Sequence, residues 1–229
     1  MKGILYGVGV GPGDPEMMTL KAVRTIQKCT VIAVPDSGGQ EQLALQIARE
    51  YIKGQEILHC RLPMTRDTAV LEQCHRKTAR DICAKLEQGQ EVAFLTLGDP
   101  SVYATFSYIR RLVTEQGYQV RIIPGVTSFC AAAATLGLPL CEGDQPLHIL
   151  PVSRKDLPEL LELPGCKVLM KLGKNRDELL DLLKEKGMLE RAAMVQRCTL
   201  PEETVVPDLV QYVPDSGYFS VIVVRGEEE

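Results

Sequence analysis

The sequence predicts an α/β fold of two domains, on three observations. Short β-branched apolar runs alternate with helical periodicities through the first half, strands outnumber helical patterns after Gly137, and a Pro124-Gly125 step joins the two textures. The expected domains are residues 1–124, with a largely parallel sheet, and 125–229, with a mixed sheet.

The opening ILYGVGV is a buried strand by composition and runs into the turn formers GPGDP. Leu20, Val23 and Ile26 then fall at helical spacing, with a helix start near Met18 or Thr19. TVIAVP is a second strand, EQLALQIAREYI a second helix, and residues 68–88 a long third helix before the strand EVAFLTL. A helix from near Ser101, the strand QVRIIP and an Ala-rich helix from about Thr127 continue the alternation. Such alternation favours parallel neighbours, because parallel strands need crossover connections. Beyond Gly137, HILPV, KVLMKL, AAMVQR and YFSVIVV read as strands, with helical patterns only near Leu157 and Asp177.

Composition narrows the function classes. The chain has 229 residues, 45% of them hydrophobic, enough for ordinary cores. A formal charge of -4 and a pI near 5.6 give no basic footprint for nucleic acid. No apolar run approaches the roughly 18 to 20 residues of a membrane span. The first fifteen residues lack the apolar stretch and cleavage site of a secretory signal, so a cytoplasmic location is expected. Eight cysteines are scattered without a CxxC pair, which predicts packed free thiols rather than zinc or a disulfide framework. His59, His75 and His148 form no spaced ligand set.

The glycine-rich turn after the first strand invites a dinucleotide reading and fails it. Gly9, Gly11 and Gly13 give GxGxG; a GxGxxG from Gly9 would need glycine where Asp14 stands, and from Gly7 where Pro12 stands. Asp36 sits where a ribose-binding acid would follow the second strand, but no GK[ST] phosphate loop exists. The glycines either permit close approach to a large ligand or serve a tight strand-to-helix turn.

Three blocks decide between these: GVGPGDPEMMTLKA at the start, LTLGDPSVYATF at 95–106 and IIPGVTSFCAAAA at 122–134. In this order and spacing they resemble the tetrapyrrole methylases over essentially the whole chain. LPM at 62–64, VLMK at 168–171, TLPEE at 199–203 and YFSVIVV at 218–224 look like the C20 branch of that family. The resemblance implies two α/β domains with a ligand cleft between them, a homodimer, and S-adenosylmethionine as methyl donor. It implies methylation of cobalt-factor II at the meso carbon C20, with metal-free precorrin-2 as the alternative substrate and no protein-bound metal. By motif, it assigns cofactor contacts to Val10, Leu97, Gly98, Asp99, Val102, Thr127, Ser128, Lys171 and a residue near Met194. Gly11, Pro12, Gly13 and Asp14 would face the tetrapyrrole, with Tyr103 and Tyr218; Asp99, Lys171 and Tyr218 are the catalytic candidates.

Physically, methyl transfer from a sulfonium is an in-line displacement, for which alignment supplies about 7 to 11 kcal/mol, more than a typical general base. Asp99 ends an apolar strand and reads as a ligand contact or as a turn aspartate before Pro100. Thr127 and Ser128 read as ligand donors or as a helix cap. Lys171 interrupts the strand KVLMKL, so its amine either snorkels to solvent or faces a polar cleft, pairing a substrate carboxylate or removing the C20 proton. Tyr103 and Phe106 are ring walls or core. A substrate rich in acetates and propionates needs cations, for which Arg61, Arg66, Arg76, Arg80, Arg110 and Arg111 are candidates; His75 and His148 could approach a cobalt ion on the substrate. The alternatives are another tetrapyrrole methylase, a diphthine synthase or a non-catalytic ligand-binding module.

Overall fold

The computed structural model describes residues 2–37, 43–65, 67–173, 175–210 and 219–226. It divides into two compact units, Met1–Thr127 and Ser128–Glu229.

The first unit runs β1 (Ile4–Gly9), α1 (Leu20–Lys28), β2 (Val31–Asp36), α2 (Leu43–Ala48), β3 (Glu56–Arg61), α3 (Thr68–Glu87), β4 (Val92–Thr96), α4 (Phe106–Glu115) and β5 (Gln119–Ile123). Its sheet has the order β3-β2-β4-β1-β5, and every pairing is parallel. Residues of α1 and α2 pack on one face with Val8, Ile32 and Leu95. Residues of α3 and α4 pack on the other with Leu5, Ala33 and Phe94. Thr19 caps α1 by accepting the Ala22 amide at 3.1 Å, and Asp67 caps α3 by accepting those of Ala69 and Val70.

Gly7 is explained by packing. A Cβ there would lie 2.2 Å from the Phe106 ring, which is 1% exposed and sits 5.6 Å from Phe94, centroid to centroid. Phe106 is therefore core rather than a ring wall.

Two features depart from the sequence reading. The strand β3 was not anticipated: at the sheet edge its side chains are only partly covered, so EILHCR carries no continuous apolar run. Helix α4 begins at Phe106, not Ser101, because Asp99 holds the Ser101 amide in a turn and Tyr103 sits at φ 47°, outside right-handed helical geometry.

The second unit runs α5 (Ser128–Leu136), β6 (Leu147–Pro151), α6 (Leu157–Leu161), β7 (Cys166–Met170), α7 (Arg176–Glu185), β8 (Ala192–Gln196), β9 (Thr204–Val206) and β10 (Ser220–Val224). The sheet order is β6-β7-β10-β8-β9, a mixed sheet in which, among the described residues, only the β6-β7 pairing is parallel. Leucines of α6 and α7 bury Leu169, Met194 and Ile222. Helix α5 packs on β8 and β10, and the small side chains Ala131, Ala132 and Ala133 let it lie close. The short β9, three residues long, went unread in the sequence.

Of the cysteines, 29, 60, 83, 166 and 198 are buried, 74 is half-buried, and 130 and 141 are exposed; all are free. Burial pushes the thiols of Cys29 and Cys60 up to about 12. Among the described residues no helix is long and apolar enough to cross a membrane.

Candidate functional site

Strands β1 and β4 are neighbours, yet the chain leaves β1 through α1 over one face and leaves β4 through α4 over the other. This is the switch point of an open parallel sheet, where a crevice forms outside the carboxyl ends of the strands. Residues 9–11, 97–99 and 124–127 end their strands at this edge.

Backbone contacts knit the edge together. The Val10 amide donates to the Thr96 carbonyl at 2.9 Å, and the Gly98 amide to the Gly11 carbonyl at 2.7 Å. A Cβ on Gly9 would lie 2.6 Å from the Gly98 oxygen and the Gly125 nitrogen; one on Gly125 would lie 2.2 Å from the Gly98 oxygen. The glycines thus serve mutual close approach of three loops. Gly11, Pro12 and Gly13 are buried and Asp14 is half-buried, accepting the Glu16 amide at 2.8 Å to cap a short turn.

Asp99 is 8% exposed, and both its oxygens are engaged. Oδ1 accepts the Ser101 amide at 2.7 Å and the Ser101 hydroxyl, and Oδ2 accepts the Gly125 amide at 2.9 Å. Burial alone pushes the carboxyl up. Donation from the Ser101 hydroxyl, the Gly125 amide and the Ser101 amide outweighs it, leaving Asp99 below the usual carboxylate range. Asp99 therefore ties the loop after β4 to the loop after β5, and the turn-aspartate reading is the one its contacts match.

Two hydroxyls here are orphaned. Among the described residues, Thr96 Oγ1 and Thr127 Oγ1 are buried without a hydrogen-bond partner, and Thr96 as a residue is 8% exposed. An unsatisfied buried hydroxyl costs about 1 to 3 kcal/mol, so each has hydrogen-bonding capacity to spare at this edge. Leu97 and Val102 are half-buried beside them, and Tyr103 is 45% exposed.

In the second unit, Lys171 follows the last residue of β7 instead of interrupting the strand; its φ is 60°. The residue is half-buried, and burial pulls its ammonium below the ordinary lysine value. The ends of β7 and β8 and the start of β10 lie along one sheet edge, where Arg197 (φ 48°) and Thr199 (φ 65°) are also left-handed. For a β-branched residue that conformation is a genuine outlier, and such strain concentrates at functional sites. Glu203 accepts the Thr199 amide at 2.6 Å and the Thr135 hydroxyl at 3.5 Å, which holds the turn. Thr199 opens the TLPEE block, but nothing in composition or spacing announced its left-handed backbone or that of Arg197. Ser128 is half-buried at the start of α5, while Met194 is 1% exposed among Leu169, Val206 and Ile222, its side chain spent on packing. Tyr218 and Arg66 lie outside the described residues.

His75 stacks on Tyr108, centroids 4.9 Å apart, and burial and Arg111 lower its pKa; it is a helix-packing residue. His148 Nε2 lies 2.9 Å from the Pro164 carbonyl. Arg76 and Arg111 are paired with Glu72 and Glu115 on their own helices, while Arg61, Arg80 and Arg110 are exposed. Among the described residues, no group of three or more His, Cys, Asp or Glu could hold a metal ion.

Residues 4–213 match the family model of the tetrapyrrole (corrin/porphyrin) methylases. The chain is 35% identical over 225 residues to a probable cobalt-precorrin-2 C(20)-methyltransferase of Methanocaldococcus jannaschii, covering 96% of this chain and 95% of that one. It is 32% identical to the cobalt-precorrin-2 C(20)-methyltransferase of Salmonella typhimurium, over 100% of this chain and 99% of that one. It is 28% identical to a precorrin-2 C(20)-methyltransferase of a Sinorhizobium species, over 98% and 96%. In fold it resembles a cobalt precorrin-4 methyltransferase, with a TM-score of 0.78 at 22% identity, over 97% of this chain and 94% of that one. It also resembles a uroporphyrin-III C-methyltransferase from Thermus thermophilus complexed with S-adenosylhomocysteine, with a TM-score of 0.74 at 22% identity, over 97% of each chain.

Proposed function

Because the chain belongs to the tetrapyrrole (corrin/porphyrin) methylases, we propose that it transfers the methyl group of S-adenosylmethionine to the meso carbon C20 of cobalt-factor II in cobalamin biosynthesis. The observation that carries this reading is full-length likeness to C20-methyltransferases. Two relatives named for cobalt-precorrin-2 stand at 35% and 32% identity, against 28% for one named for precorrin-2, which supports a substrate that carries cobalt. Metal-free precorrin-2 is the alternative substrate. Cobalt in this reading is carried by the substrate, and the protein is a cytoplasmic homodimer.

The first sheet's edge fits S-adenosylmethionine. The close-packed glycine backbones let three loops meet at this edge, and the Thr96 and Thr127 hydroxyls offer donors or acceptors for its polar atoms. Val10, Leu97, Gly98, Val102, Thr127 and Ser128 would hold it, with Asp99 as a positioning residue acting through the Gly125 and Ser101 loops. When bound, it supplies an electrophilic methyl on a sulfonium sulfur. The chain's own work is then alignment and exclusion of water.

For the tetrapyrrole, the segment Gly11–Asp14 and Tyr103 would supply contacts. Lys171 would accept the proton that C20 loses as the new carbon–carbon bond forms and neutral S-adenosylhomocysteine departs. Its lowered pKa supports that role, since a greater share of the amine is neutral and able to take a proton. The test is a pair of anaerobic rates, with cobalt-factor II and with precorrin-2 as substrates. Faster methylation of the cobalt form is expected, and faster methylation of the metal-free form overturns the choice of substrate.

A further inference from the structure

A polycarboxylate substrate must find cations on a chain that carries 30 acidic and 26 basic residues. On other helices several cations are spent on neighbouring acids: Arg76 on Glu72, Arg111 on Glu115 and Lys85 on Glu56. Helix α1 is different. Its sequence LKAVRTIQK holds Lys21, Arg24 and Lys28 and no acid, and spacings of three and four place these on neighbouring turns of one surface.

Beside α1 runs β5, one of the two edge strands of the first sheet, whose one charged residue is Arg121. Between them lies a groove of about 470 Å³ lined by Tyr6, Lys21, Thr25, Lys28, Arg121 and Ile122. Lys28 is paired with Glu91 at 2.8 Å and touches the Tyr6 hydroxyl at 3.4 Å. Among the described residues, the side chains of Lys21 and Arg121 have no hydrogen-bond or ion-pair partner. Arg121 is in register with Tyr6, on the face of the sheet that α1 covers, so the groove offers a point charge and a planar fork able to take a carboxylate in two bonds. One end meets the switch-point edge: Thr19 Oγ1, at the start of α1, donates to the Pro124 carbonyl at 3.4 Å, and the next residue, Gly125, is the one Asp99 holds.

We propose that the α1/β5 groove is a carboxylate-docking site, in which Lys21 and Arg121 capture acetate or propionate groups of the tetrapyrrole substrate and speed its association. The identity of the ligand rests on the methylase reading; the anion chemistry of the groove rests on the residues alone. Such a site acts mainly on encounter, and its effect is screened by salt.

The test compares wild type, a Lys21→Glu/Arg121→Glu variant and a charge-keeping Lys21→Arg/Arg121→Lys variant. At about 0.01 M ionic strength, where charges act over roughly 30 Å, the double-glutamate variant should lose about tenfold or more in kcat/KM for the tetrapyrrole. Its kcat and its affinity for S-adenosylhomocysteine should be retained, and the fall of kcat/KM with added salt should flatten. The charge-keeping variant should behave as wild type. A folded double-glutamate variant with the wild-type kcat/KM and salt dependence overturns the proposal. Binding of uroporphyrin III, an octacarboxylate probe, followed by fluorescence quenching, separates the two readings. If wild type binds the probe, the double-glutamate variant does not, and no methylation occurs, the docking site stands and the methylase reading falls. If wild type methylates but both proteins bind the probe equally, the docking site alone falls.

Discussion

The Asp99 carboxylate accepts the Gly125 amide at 2.9 Å while its other oxygen holds Ser101, so one buried side chain sets the spacing of two loops at the switch point of the first sheet. Charge-assisted bonds of this kind contribute about 1.5 to 3 kcal/mol each. Asp99→Asn keeps the shape but loses the charge and should lower the unfolding free energy by about 2 kcal/mol in urea titrations. Because the folded pKa lies below the unfolded one, the wild-type contribution is complete above the unfolded value of about 3.9. It is lost as pH falls through the folded value. The stability difference between wild type and Asp99→Asn should therefore be flat near neutrality and shrink only in acid.

The orphaned hydroxyls give a prediction with opposite signs in two measurements. Thr127→Val removes a buried oxygen that has no partner among the described residues and should raise the unfolding free energy of the free protein by about 1 kcal/mol. The same change should weaken S-adenosylhomocysteine binding, measured calorimetrically, by about fivefold to tenfold. Unchanged affinity would remove Thr127 from the ligand contacts.

Close approach predicts which glycines are replaceable. Gly125→Ala places a methyl 2.2 Å from the Gly98 oxygen, so backbone must move and stability should fall by about 3 kcal/mol or more. Gly117→Ala, with nothing within 4 Å of its added methyl, should cost only the strain of its positive φ, about 1 kcal/mol. Thermal unfolding of the two variants should rank them in that order.

Much of this architecture was legible in the sequence, and the exceptions share a physical character. Alternating runs and helical spacings revealed most strands and helices because burial writes periodicity into the chain. Edge strand β3 and the three-residue β9 escaped because an uncovered or very short strand needs no apolar run. The glycine-rich turn could be read as a close approach, but its partners, Gly98 and Gly125, come from distant segments. Asp99 was visible as a strand-end acid, while its use as a clamp depends on Gly125, 26 residues away. The left-handed backbone at Lys171, Arg197 and Thr199 leaves no mark on composition, since none of these residues is glycine.

Lys171 joins strain to chemistry, which separates stability from activity. Lys171→Gly should relieve a left-handed φ of 60° and raise the unfolding free energy by about 1 kcal/mol. It should lower kcat while leaving S-adenosylhomocysteine affinity within about twofold, since proton transfer rather than cofactor binding is removed. In wild type, kcat should rise with pH as the amine loses its proton, with a midpoint below the ordinary lysine value because burial disfavours the charged form. The glycine variant should lack that rise.

The most direct test of the account is the position of the transferred methyl. The protein is incubated anaerobically with cobalt-factor II and S-adenosylmethionine carrying a carbon-13 methyl, and the product is examined by mass spectrometry and NMR. The account predicts one labelled methyl per macrocycle, attached at C20; label at any other carbon, or none transferred by the folded protein, would contradict it.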